Sequence, residues 1–166
     1  MTRMSHKLAA AAFGKWTGSG KPTPPSDAMA TAKERVLVVD KPATPQTMVY
    51  VAQVGVARSN PDFEKLNVMN QILGGLFASR LNMNLRERNG YTYGAFSSVY
   101  ENQQPGPLMA GTGVRTDVTG PAIAEIMKEV KSMMEKPVSP EELALAKESI
   151  SRSLPAYFET ASSTVA

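Results

Sequence analysis

The run from Thr47 to Ala57, TMVYVAQVGVA, is apolar at most positions, and RVLVVD precedes it from Arg35 across the KPATPQ stretch. Valine-rich segments broken by prolines predict two strands joined by a turn. Because the second is apolar on both faces for much of its length, a central, covered strand is expected rather than an edge. Asn60-Pro61 then reads as a helix start, with Asn60 as N-cap and Pro61 at the first helical position. Phe63, Leu66, Val68, Met69, Ile72 and Leu73 follow at helical spacing until Gly74-Gly75 interrupts them. A second helical stretch, Phe77 to Arg88, closes at Asn89-Gly90. Tyr91 to Tyr100 alternates aromatic and small residues as a strand does, and Leu108 to Arg115 forms its hairpin partner after QPGP. Thr119 is placed to cap a helix through Glu135, with Ile123, Ile126, Met127, Val130, Met133 and Met134 on one face. Ser139-Pro140-Glu141-Glu142 is a capping box that opens a last helix toward Phe158.

The order ββααββαα predicts an α+β fold, a two-layer sandwich with helices on one face of a mostly antiparallel sheet. No short-period internal repeat is visible. Residues 14–34 carry Gly14, Gly18, Gly20, Pro22, Pro24 and Pro25, so an extended surface segment is expected there, anchored by Trp16. Met1 to Ala12 reads as a cut helix, and Thr160 to Ala166 trails off without a stop signal, so residues 1–166 are expected to be one domain excised from a longer chain.

Composition narrows the function. With 166 residues and 42% hydrophobic positions, one domain with a sizeable core fits better than two. The formal charge of +3 comes from Lys and Arg scattered among the acids, without the basic stripe that a nucleic-acid partner requires. The chain has no cysteine, which removes disulfides, thiolate metal sites and cysteine nucleophiles. No apolar stretch reaches the roughly 18 residues of a membrane span, and Met1 to Ala12 lacks the apolar core of a secretory signal.

Candidate chemistry is sparse. His6 is the only histidine, and a histidine-based zinc site needs two or three convergent ligands, so no metal ligand is assigned in this chain. With one terminal histidine, serine or threonine catalysis could draw only on a lysine or carboxylate as base, and no G-x-S-x-G elbow occurs. Gly111 and Gly113 fall inside a predicted strand, where they are expected to allow close packing or a bulge rather than form a phosphate cradle. The segment that stands apart is Gly74 to Gly94, GGLFASRLNMNLRERNGYTYG, which gathers Arg80, Arg86, Arg88, Tyr91 and Tyr93 where a helix runs into a strand. An arginine fork can hold a peptide carbonyl and a tyrosine hydroxyl can donate to an oxyanion. By spacing alone the same residues equally describe an exposed Arg-Glu pair beside tyrosines packed on a sheet.

This segment resembles the signature of the second half of the pitrilysin, insulysin and mitochondrial processing peptidase family of zinc metallopeptidases, in which a glycine pair, S-R-L and L-R-E recur in this order. The likeness extends to FGKW, VVDKPATPQ, ARSNPDFEKLNVMNQILGG, VSPEELALAK and LPAYFET, nearly the whole chain, and is greatest to the short bacterial members. The resemblance implies the metallohydrolase-like fold of that family. It also implies that a homologous partner half, on the same chain or a separate subunit, carries an inverted H-x-x-E-H motif and the zinc. This chain has no H-x-x-E-H and is similar to the half without metal, inactive alone. In that family the non-metal half contributes an arginine and, seven residues later, a tyrosine to peptide binding; Arg86 and Tyr93 stand at those positions. The implied function is therefore substrate binding in a zinc metalloendopeptidase, against the alternative of a peptidase-like scaffold or interaction subunit. Many similar bacterial proteins are exported, so the resemblance is compatible with the periplasm, although the residues assign no compartment.

Overall fold

A computed structural model describes residues 3–18, 20, 36–39 and 42–160. The chain divides into two compact units, one within Met1–Arg35 and Leu154–Ala166 and the other Val36–Ser153. The first contains helix α1 (Arg3–Phe13) and a 3-10 turn at Leu154–Phe158. His6 is exposed on α1. Trp16, expected to anchor the segment after α1, is 78% exposed and meets Phe13 edge-on with ring centroids 5.1 Å apart. Most of the expected extended stretch at 14–34 lies outside the described residues.

In the second unit, strands β1 (Gln46–Val54), β2 (Ala95–Val99) and β3 (Pro107–Arg115) form an antiparallel sheet in the order β1-β3-β2. The predicted hairpin of the last two strands is present, with Ala95 opposite Thr112 and Val99 opposite Leu108. Alternation sorts the side chains. Val49, Ala95, Ser97, Ala110, Thr112 and Val114 are buried on one face, where helices pack. On the other face Met48, Tyr50 and Phe96 remain exposed. Gly111 lies between Tyr50 and Phe96, and a Cβ there would come within 2.8 Å of both rings.

Two strand expectations need correction. Val36–Val39 is described but forms no strand, and all four residues are exposed. Among the described residues β1 pairs only with β3, so it stands at an edge rather than in the centre. A continuous apolar run records that both faces avoid charge; it does not specify a second neighbour. Strand β2 also begins at Ala95 rather than Tyr91, because Tyr91–Gly94 is held by turn bonds described below.

Helix α2 (Phe63–Asn70) starts two residues after Pro61. Asn60 still organises the start, since its Oδ1 accepts from the Asp62 amide at 2.9 Å and its carbonyl from the Phe63 amide at 3.0 Å. The chain continues through a π-helical turn at Gln71–Gly75. Here Gly74 is required by proximity, because a Cβ would run into the Ser97 amide of β2. Beside it the Ser97 hydroxyl donates to Asn70 Oδ1 at 2.7 Å, satisfying two buried polar side chains.

A 3-10 turn at Thr116–Val118 leads into helix α3 (Thr119–Glu135), whose Ala122 and Ile126 enter the core. Thr119 does not cap it; its hydroxyl donates back to the Thr116 carbonyl at 2.9 Å. Helix α4 (Pro140–Ser153) opens with the expected capping box: the Ser139 amide donates to Glu142 Oε2 at 2.9 Å, and the Glu142 amide to Ser139 Oγ at 3.1 Å. Helices packed on one side of an antiparallel sheet make the α+β architecture expected from the sequence.

Candidate functional site

The Gly74 to Gly94 segment is built around a second π-helical stretch, Asn82–Arg88. Leu81 and Leu85 are fully buried in the core, each contributing roughly 1.5–3 kcal/mol by burial. Asparagines fix its ends. Asn82 Nδ2 donates to the Leu76 carbonyl at 3.2 Å, and Asn82 Oδ1 accepts from the Ala95 amide at 2.8 Å. Asn84, almost wholly buried, donates to Glu125 Oε2 at 2.7 Å and Glu129 Oε1 at 2.6 Å on α3, while Asn89 donates to Asn84 Oδ1 at 2.7 Å. The bond from Asn84 is the main reason the Glu125 carboxyl sits below its ordinary range, with Lys128 adding to it. Wide turns with π-type bonding recur at functional sites.

Gly90 takes φ +62°, the left-handed conformation that ends the helix as the sequence anticipated. The chain then crosses to β2 through Tyr91–Gly94. Thr92 Oγ1 accepts from the Gly94 amide at 3.1 Å, and Thr112 Oγ1 donates to the Gly94 carbonyl at 3.0 Å. Tyr91 packs partly against the core. Tyr93 is 93% exposed and makes no hydrogen bond among the described residues.

The three arginines of the segment part company. Arg80 turns into the protein, where Nε meets Glu142 Oε1 at 2.7 Å and Nη2 meets Oε2 at 2.8 Å, a bidentate pair tied to the α4 capping box. The Arg80 bonds pull the Glu142 carboxyl down to about 2. Arg86 is half-buried: its guanidinium carbon lies 4.5 Å from the centroid of Phe77, and Nε is 3.4 Å from Glu87 Oε1. Arg88 contributes only a field at Glu125.

Tyr93 lines a cleft of about 310 Å³ with Gln46, Gly90, Tyr91, Thr92, Gly113, Val114 and Arg115; Arg86 is not part of its wall. Sequence reasoning did not find Gln46, Thr92, Arg115 or Phe77. Gln46 and Arg115 face each other only through the β1–β3 register, which a single strand pattern does not reveal. Phe77 reads in the sequence as an ordinary apolar helix position, yet it is 65% exposed beneath Arg86.

Residues 4–150 match the model of the peptidase M16 inactive domain. The chain belongs to this family. The M16 inactive domain from Pseudomonas fluorescens is 30% identical, with a TM-score of 0.65 over 68% of this chain and 27% of that one. A protease from Helicobacter pylori is 18% identical with a TM-score of 0.78, covering 99% of this chain and 41% of its own. The inactive peptidase domain of a Bordetella parapertussis protein described as a zinc protease is 22% identical, TM-score 0.64, covering 76% and 69% respectively. The chain thus spans about a quarter of the length of the Pseudomonas chain and about two fifths of the Helicobacter one. No curated protein is significantly similar to it.

Among the described residues no group of three or more His, Cys, Asp or Glu could hold a metal ion, and the one histidine sits exposed on α1. No described helix is long and apolar enough to cross a membrane.

Proposed function

We propose that this M16 inactive domain is the substrate-binding half of a zinc metalloendopeptidase, working opposite a homologous half that carries the zinc. In this reading Tyr93 donates its hydroxyl to the oxygen of the attacked peptide carbonyl, and Arg86 orients the substrate backbone with its planar fork. The zinc-bearing half, on the same full-length chain or a separate subunit, supplies the metal-activated water. The observation that carries the proposal is the contrast between the two tyrosines of the Tyr91–Gly94 turn. Tyr91 is used in packing, whereas Tyr93 is 93% exposed at the wall of a cleft with its hydroxyl free of any described partner. A side chain that contributes nothing to the fold is available to a substrate.

The test is Tyr93→Phe in the protease reassembled with its zinc-bearing half. One oxyanion donor is worth on the order of 3 kcal/mol at most, so turnover is expected to fall by roughly tenfold to several hundredfold while melting stays at the wild-type temperature. Unchanged turnover by the folded variant would remove Tyr93 from the chemistry and leave the domain a scaffold.

A further inference from the structure

The cleft beside Tyr93 contains a cation that the reading above does not use. Arg115 ends β3 opposite Gln46 of β1, and both line the cleft with Thr92 and Tyr93. Its guanidinium is held from behind. Nε lies 3.3 Å from Asp117 Oδ1, and Nη1 donates to the Gly90 carbonyl at 3.4 Å, both long bonds. Nη2 has no hydrogen-bond partner among the described residues, and the side chain is 60% exposed. Arginine presents five donors, and these two bonds leave three of them. A planar fork oriented by its own loop and left open at the end is suited to a planar anion. Around it the cleft is lined by Gln46, Thr92 and Tyr93, with the Thr92 hydroxyl already bonded to Gly94, so among the described residues Arg115 is the one charged residue of a lining that suits a peptide better than a multiply charged phosphate.

We propose that Arg115 is a specificity-determining residue, the carboxylate-binding element of a subsite adjoining Tyr93 that selects peptides carrying an acidic side chain or a free C-terminal carboxylate. The inference rests on the reading of Tyr93 as substrate-facing, and it adds the class of substrate. Asp117, on Nε behind the open end, is a built-in competitor for the charge of the guanidinium and weakens its hold on a peptide carboxylate.

The test titrates the chain, labelled with 15N, with three short peptides blocked at the N-terminus: one containing a glutamate with an amidated C-terminus, its glutamine counterpart, and the glutamine peptide with a free C-terminal carboxylate. Affinities and the Arg115 side-chain Nε–H shift are read together. The glutamate or free-acid peptide is expected to bind roughly threefold to tenfold tighter than the neutral one, with the Arg115 signal moving. Arg115→Gln should bring that ratio to about one, and Asp117→Asn should raise it. Preference for the glutamate peptide alone assigns the subsite to a side chain, and preference for the free acid alone assigns it to a peptide end. Equal binding of all three peptides, or a ratio that survives Arg115→Gln in a folded variant, would overturn the proposal. Turnover of Tyr93→Phe in the assembled protease reads the other assignment separately: a preference lost in Arg115→Gln beside unaffected Tyr93→Phe turnover keeps the subsite and removes the oxyanion role.

Discussion

The guanidinium of Arg86 stacks on Phe77, its central carbon 4.5 Å from the ring centroid, while among the described residues the only acid touching it is its chain neighbour Glu87. A stack on an exposed ring orients an arginine without neutralising it, whereas the bidentate carboxylate that holds Arg80 uses up its fork. The two arginines lie six positions apart on one segment and have opposite settings. Phe77→Leu should therefore free the Arg86 side chain. In the assembled protease a severalfold rise in KM is expected with melting nearly unchanged, since an exposed cation–π contact is worth about 0.5–1 kcal/mol. A variant that melts early with normal kinetics would make Phe77 purely structural.

Arg80 and Glu142 link the Gly74 to Gly94 segment to the start of α4, and their dependence on pH has a definite sign. Glu142 is held at about 2, below the ordinary 4.5, chiefly by its bonds to Arg80. A carboxylate depressed in the folded state stabilises it fully above the unfolded value, and that contribution fades as the pH falls through the folded one. Wild type should thus exceed Glu142→Gln in stability at neutral pH, by roughly 1–2 kcal/mol for a partly exposed charged hydrogen bond. The difference should shrink between about pH 4.5 and 2, as measured by urea unfolding at a series of pH values. A constant gap across that range would show that the pair acts by shape alone.

Gly74 tests the seam between the helical layer and the sheet. The π-helical turn at Gln71–Gly75 lies so close to β2 that any Cβ at Gly74 would meet the Ser97 amide and hydroxyl. Backbone cannot move aside as a flexible side chain can. Gly74→Ala should cost on the order of 1–3 kcal/mol, the range for overpacking a filled core, despite alanine's better helix propensity. Gly75→Ala faces the end of the Gln71 side chain, which can swing away, and should cost less. Thermal melting of the two single variants gives the comparison.

The parts of this fold that were legible in the sequence are those written in local chemistry. The capping box at Ser139–Glu142, the stop at Asn89-Gly90 and the hairpin of β2 and β3 each depend on residues a few positions apart. Helix starts slipped by two residues at Pro61 and by more at Phe77, because the bonds of Asn60 and Asn82 first organise a turn. The edge position of β1 was not readable, since valine content reports apolar faces and not neighbours. At the site, the family pattern singled out Arg86 and Tyr93. That they differ in setting, one on an aromatic ring and one on a cleft wall, depends on Phe77 and on the register that sets Gln46 against Arg115. Neither relation leaves a trace in spacing along a single chain.

Asn84 offers the sharpest test of how the Asn82–Arg88 helix is held on α3. It is 2% exposed and gives its amide protons to Glu125 and Glu129, two carboxylates one helical turn apart that would otherwise repel. Asn84→Asp keeps the shape and removes both donors, placing a third negative charge between the two. At neutral pH this should be severely destabilising, about 3–5 kcal/mol as for an uncompensated buried charge. The loss should reverse on acidification, because a protonated Asp at this site regains a donor and the repulsion disappears. The folded pKa of the introduced group lies above its unfolded value, so its penalty is absent below the unfolded value and grows as pH rises through the ordinary carboxylate range. Wild type runs the other way: the Glu125 carboxyl, lowered chiefly by Asn84, contributes stability that is lost as the solution is acidified. Stability curves of the two proteins should therefore converge toward low pH. Asn84→Leu, which removes the donors without adding charge, should show a smaller deficit that also narrows on acidification. Parallel curves for wild type and Asn84→Asp would mean that Asn84 fills space and does not hold the two glutamates.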